Sequence, residues 1–332
     1  MGLLPRSLAL KAEGLASLLP GKGRRLSVLI FHRVVPEPDP MNPDEIDADR
    51  FDRLLTMLGR EFHVLPMAEA LSRRAAGTLP ARSVAITFDD GYADNFTVAC
   101  PILRRHGMEA TFFVASGFLD GGLMWNDAVI ETLRQYGGAT LDLAWLDMGM
   151  CATQSVVQRQ VLAEALLLKL KYLDLDGRKA ALARLVAQTG SRLPEDLMMS
   201  SAQLRGLRDA GMEIGGHTVS HPILAVLDED EARSQMARDR ARLAELLGRP
   251  PRFFAYPNGR PGKDYTAVHA RLARELGYEA AFTTSHGSVG SESGLYELPR
   301  FTPWDHNLRK FSLRLLRNYL NVDAPQLASA RA

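Results

Sequence analysis

The chain has 332 residues, 46% hydrophobic and 24% charged, with a net charge of +1 and a pI near 7.9. That balance excludes a disordered chain, and it offers no basic surplus for nucleic acid. Two cysteines, Cys100 and Cys151, are too few for a disulfide framework and too far apart for a CxxC site.

Residues 1–25 read as a short amphipathic helical segment ending near Pro20 and Gly21. Pro5, Arg6, Lys11 and Glu13 interrupt it, so it is no secretory h-region. No run of about 18 apolar residues occurs anywhere, and the expectation is a cytoplasmic protein without an integral membrane segment. From there, short apolar runs alternate with helical patterns. The runs are 26–31, 84–88, 110–114, 212–215, 253–256, 280–283 and 296–298. Helical spacing covers 49–59, 96–106, 202–210, 229–247 and 265–276. This rhythm predicts a parallel α/β sheet or barrel spanning 26–320. Between the third and fourth strands, about 121–200, it gives way to a helical insertion with helices over 156–173 and 178–189. A basic amphipathic stretch over 309–317 either packs on the barrel or touches an anionic membrane surface, so peripheral membrane contact stays open. The tail 321–332 reads as flexible, and the oligomeric state is not legible.

The polar residues that carry chemistry recur at strand ends, where parallel α/β folds build their sites. His32 follows the first run and Asp89-Asp90-Gly91 the second. His217 and His221 follow the fourth, and Asn258 follows the fifth. Two adjacent carboxylates at a strand end call for a partner for their charge. Two imidazoles four residues apart, together with a carboxylate, suit a divalent metal of the zinc type. Asp94 and Asn95 are placed to cap the helix after the Asp-Asp loop.

The motifs TFDDGYADN (87–95), HTVSH (217–221) and FFAYPNG (253–259) resemble those of the polysaccharide deacetylase family, also called the NodB homology domain or carbohydrate esterase family 4. The resemblance runs from about Leu26 to Trp304, the insertion excepted. It implies a distorted (β/α)7-type barrel and hydrolytic removal of N-acetyl groups from a polysaccharide, oligosaccharide or glycolipid sugar. It further implies Asp89 as general base and Asp90, His217 and His221 as ligands of a divalent metal, Zn²⁺ before Co²⁺ or Ni²⁺. The backbone N–H of Asn258 would contact the oxyanion; Tyr256 beside it and, from its aromatic face alone, Trp125 are candidates to meet the substrate.

The chain also departs from the family pattern. Ala255 replaces an arginine that orients the base, a role left to Arg300 or, second, Arg252. Asn258 stands where a tyrosine is common, and no Leu-x-His motif supplies a general acid. His32 is the candidate acid, or else it caps the first strand. Trp125 either lines a sugar cleft or only packs. A metal-dependent hydrolase of another non-peptide amide, and a non-catalytic carbohydrate binder, remain as alternative readings.

Overall fold

The computed structural model describes residues 24–320 except 172, 174 and 304. The amphipathic segment and the tail anticipated at the two ends therefore lie outside the described residues. Seven parallel strands form the barrel: β1 (Leu26–Phe31), β3 (Ser83–Phe88), β4 (Thr111–Val114), β7 (Glu213–Gly216), β8 (Phe253–Ala255), β9 (Ala280–His286) and β10 (Leu298–Arg300), adjacent in that order. The ring is nearly closed where Phe301 meets β1. Its N–H donates to the Val28 carbonyl at 2.7 Å and its carbonyl accepts from Ile30 N–H at 3.1 Å. The α/β barrel anticipated from the sequence is thus the architecture. A two-residue strand, β2 (His63–Val64), pairs with β3 outside the ring.

Both faces of the strands are covered, which is why β1 and β3 are buried along their whole length. Inside the barrel, Val28, Ala85, Phe113, Phe253, Phe282 and Leu298 make one core. Outside, Leu29, Ile86, Phe88 and Phe112 pack against α1 (Ala48–Glu61), α3 (Cys100–Arg105) and α7 (Ser201–Asp209). The stack of Phe31, Phe88 and Phe112, with centroids 5.3 and 4.8 Å apart, ties three neighbouring strands together. Three more helices complete the layer: α2 (Met67–Ala75), α8 (Glu229–Leu247) and α9 (Ala267–Glu275). Last comes α10 (Leu308–Asn318), the basic stretch of the sequence. It buries Phe311 and Leu315 in the outer core, as the packing reading expected.

Between β4 and β7 the chain builds α4 (Trp125–Gln135), a small antiparallel hairpin of β5 (Thr140–Asp142) and β6 (Met150–Ala152), α5 (Val156–Lys171) and α6 (Leu175–Thr189). Leu133, Leu141, Leu162, Leu166 and Leu185 give this insertion its own apolar core. The hairpin corrects the expectation that the insertion over about 121–200 is helical throughout. Its strands are three residues long and mostly exposed, so no apolar run announces them. The last strand also starts two residues later than anticipated, because Glu297 N–H turns back onto the Gly294 carbonyl.

Gly215 in β7 shows how tightly the interior is filled. A Cβ there would enter the Phe113 ring and stand 3.0 Å from the Phe253 carbonyl oxygen. Gly215→Ala is expected to destabilise the fold by about 1–3 kcal/mol through overpacking. A urea midpoint equal to wild type would contradict this.

Candidate metal and catalytic site

The strand ends named from the sequence converge at the C-terminal rim of the barrel. Asp90 Oδ1 faces His217 Nε2 at 3.4 Å and His221 Nε2 at 3.5 Å. One ligand atom from each residue lies within 4.8 Å of the others. Tetrahedral Zn²⁺ with bonds of about 2.0–2.1 Å spaces its ligand atoms by roughly 3.3 Å, close to the two carboxylate–imidazole separations. Asp90 Oδ1 is buried with no hydrogen-bond partner among the described residues, the situation a cation resolves. The three side chains therefore fit a divalent metal.

Electrostatics agree with that fit. Burial would raise the Asp90 carboxyl, but His221 and His217 hold it well below its usual value. Burial pushes His221 down to about 4, so its ring is neutral and its lone pair is free at neutral pH. Burial also disfavours charge on His217, yet Asp90 and Asp89 outweigh it and its value lies above the ordinary one. His217 Nδ1–H donates to the Ala255 carbonyl at 2.7 Å, which turns Nε2 toward Asp90.

Asp89 has different surroundings. Its carboxylate is 2% exposed, and both oxygens accept from Arg300, Oδ1 from Nη1 and Oδ2 from Nη2, each at 2.7 Å. Arg300 Nε donates to the Thr283 carbonyl at 2.8 Å and Nη1 also to Thr87 Oγ1 at 3.3 Å, so the guanidinium is held by four hydrogen bonds. Burial would raise the Asp89 carboxyl; the Arg300 charge, and then His217, keep it below its usual value. Of the two arginines considered, Arg300 is the one placed on Asp89. Arg252 pairs with Glu279 at the surface.

His32 is exposed at the end of β1, near both Asp89 and Asp90. Among the described residues no hydrogen bond to its ring is found. Asn258 has φ +58°, its carbonyl accepts from Thr284 Oγ1 at 2.6 Å, and its side-chain oxygen accepts from Lys171 Nζ at 3.3 Å. Tyr256 is a correction. Its ring is fully buried against Tyr265 in the outer core, with centroids 4.0 Å apart, and its hydroxyl donates to the Tyr296 carbonyl, so it faces away from the rim. Trp125 packs on the insertion core with Arg178 over its ring, the packing alternative of the sequence reading. Asp94 and Asn95 do not cap a helix. Asp94 accepts from Arg33 Nε at 2.7 Å and from Val34 N–H, while Asn95 Nδ2 donates to the His32 carbonyl, so both secure the loop after β1.

Three contributors escaped the sequence reading. Tyr92, inside the TFDDGYADN motif, donates its hydroxyl to Asp127 Oδ2 at 3.0 Å, and Asp127 comes from α4 of the insertion. Asp239 on α8 accepts the His217 N–H at 3.0 Å. A signal for Asp239 existed. Ala232, Met236, Asp239, Leu243 and Leu247 form the buried stripe of α8, and one of them is an acid.

The family profile described as Polysaccharide deacetylase matches residues 76–141 and 152–281, more than half of the chain. The chain belongs to the polysaccharide deacetylase family, a family of hydrolases. It is 22% identical over 219 residues to Bacillus subtilis (strain 168) YxkH, whose name assigns it to the polysaccharide deacetylases. The match covers 66% of this chain and spans about half the length of that relative (50%). Among solved structures, Streptococcus pyogenes deacetylase PplD aligns with TM-score 0.59 and 20% identity over 88% of this chain and 98% of that one. IcaB from Ammonifex degensii gives 0.56 and 18% over 91% and 98%. At these identities the structures establish the shared barrel fold.

Burial raises the Asp127 carboxyl from its usual 3.8 to about 7. As pH climbs between those values the unfolded chain loses this proton while the folded one keeps it, so stability falls by up to about 1.4 kcal/mol per pH unit. Asp239, also raised to about 7 by burial, adds a slope of the same sign. Asp127→Asn should make the decline of chelator-treated protein from pH 5 to 7 shallower by one proton's worth. Chemical denaturation at several pH values measures it, and an unchanged slope would refute the assignment.

Proposed function

We propose that this protein hydrolyses the N-acetyl group of a polysaccharide, oligosaccharide or glycolipid sugar, with Asp90, His217 and His221 holding a divalent metal. The observation that carries the reading is the pairing of two adjacent acids with opposite environments. Asp90 presents a buried, unpartnered oxygen to two imidazoles, whereas Asp89 is gripped at both oxygens by Arg300. One acid suits a cation and the other suits a proton.

When bound, such an ion lowers the pKa of water and polarises a carbonyl oxygen. Zn²⁺ suits the donor set best, and Co²⁺ or Ni²⁺ are accepted by the same ligands. Asp89, kept ionised by Arg300, takes the proton from the attacking water. Arg300 fixes the direction in which that carboxylate accepts. The Asn258 backbone N–H donates to the oxygen that gains negative charge as the carbonyl becomes tetrahedral. His32, exposed beside the two acids, delivers a proton to the departing sugar amine, and acetate leaves.

Purified protein should release acetate from N-acetylglucosamine oligomers or poly-N-acetylglucosamine. Chelation should abolish the release and zinc should restore it. Asp89→Asn should lower the rate by about 100-fold or more, the scale of a positioned base, while bound metal measured by elemental analysis stays at the wild-type level. Cleavage of a small non-sugar amide with no acetate from any glycan would defeat the sugar reading. Full activity of Asp89→Asn would defeat the assignment of the base.

A further inference from the structure

The loop 217–221 holds an improbable shape for its sequence. Thr218 and His221 have φ of +68° and +52°, left-handed conformations that side-chain-bearing residues adopt only when neighbouring structure compels them. What compels them is one face of α8. Asp239, 0% exposed, accepts the His217 N–H on Oδ2 at 3.0 Å and the Ser116 N–H on Oδ1 at 3.1 Å. One helical turn earlier, Gln235 Oε1 accepts the N–H groups of Val219 and Ser220 at 3.2 and 3.1 Å. Four backbone amides from the loops after β4 and β7 thus end on two side chains spaced i and i+4. The two loops are also joined directly, Gly117 N–H donating to the Val219 carbonyl at 2.8 Å.

The close approach is built into the chain. A Cβ on residue 216 would stand 2.8 Å from Asp239 Oδ2 and 2.5 Å from the Tyr278 hydroxyl, so only glycine lets the carboxylate reach the loop. An acid in the apolar stripe of α8 costs desolvation that a leucine would not, and packing alone gives no reason for it. Its gain is to fix the backbone on which the first imidazole is mounted, while Gln235 fixes the bend that carries the second.

We propose that Gln235 and Asp239 are positioning residues that hold the 217–221 loop in its metal-binding shape, so that the imidazoles of His217 and His221 meet Asp90. This rests on the reading of those three residues as metal ligands. The test is zinc affinity, measured by competition with a chromophoric chelator, for full-length wild type and for Asp239→Asn, Gln235→Leu and Gln235→Glu. Asparagine keeps the shape but turns an NH₂ toward one of the two amides, and leucine removes the acceptor altogether. Both should bind zinc about tenfold or more weakly, the scale set by outer partners of metal-bound histidine. Their amide hydrogen exchange at 217–221 should be faster, without a matching fall in melting temperature.

Gln235→Glu retains the acceptor oxygen and should restore affinity to within about threefold of wild type, an effect that loss of general stability would not produce. If Asp239→Asn does not fold, the leucine and glutamate variants of Gln235 decide, since Val219 and Ser220 lie toward the surface. Zinc bound by wild type and equally well by the leucine and asparagine variants overturns the clamp and leaves the ligand assignment standing. A wild type that binds no zinc overturns both.

Discussion

The buried pair of Arg300 and Asp89 is the constraint around which the barrel is organised. It joins the end of β10 to the end of β3, the two strands that flank β1, and so it spans the seam where the ring closes. Taking both charges out of water is expensive, and the cost is offset because each nitrogen of the guanidinium donates to an oxygen. Removing either partner would strand the other in a dry site. Once the pair is in place, one carboxylate at the strand end is committed to an arginine. Its neighbour must look elsewhere, and the imidazoles of His217 and His221 are what it finds.

The backbone around these groups is bent in a consistent way. Asp90, Thr218, His221 and Asn258 all have positive φ, and each lies in a loop leaving the C-terminal end of a strand. Conformations of this kind raise the energy of a free loop and survive where the surroundings over-determine them. Here the surroundings are α8 behind the histidine loop, Thr284 and Lys171 hydrogen-bonded to the two oxygens of Asn258, and the exit of the insertion against Gly91. In that last contact Met199 N–H donates to the Gly91 carbonyl and Ala93 N–H to the Leu197 carbonyl. The insertion is therefore part of the rim itself. It enters through the Tyr92–Asp127 hydrogen bond and leaves along the Asp-Asp loop.

Most of the barrel was legible in the sequence because its strands are short apolar runs, and the ligand candidates were legible because each falls at the end of one. Elements that make no such run were not. The exposed β5–β6 hairpin and the two-residue β2 owe their form to neighbouring backbone, and sequence periodicity carries no record of that. Side-chain direction was the weaker inference. Tyr256 follows β8 as Asn258 does, yet it points outward into the helix layer, since adjacent residues alternate in direction and the interior position falls to Ala255. Asp94 and Asn95 sit where caps are expected, but the loop after β1 competes for their oxygens and amides and wins. The choice between Arg300 and Arg252 needed three dimensions, because residues 211 positions apart in sequence share the bond.

That separation bears on how the protein is made. Translation produces the Asp-Asp loop long before β10, and through that interval Asp89 has no counter-charge and the seam beside β1 is open. A chain dominated by such distant pairings closes slowly and exposes strand edges while it waits. The nascent polypeptide cannot complete the Asp89–Arg300 pair until residue 300 has cleared the ribosome, so the buried acid gains its counter-charge only together with barrel closure.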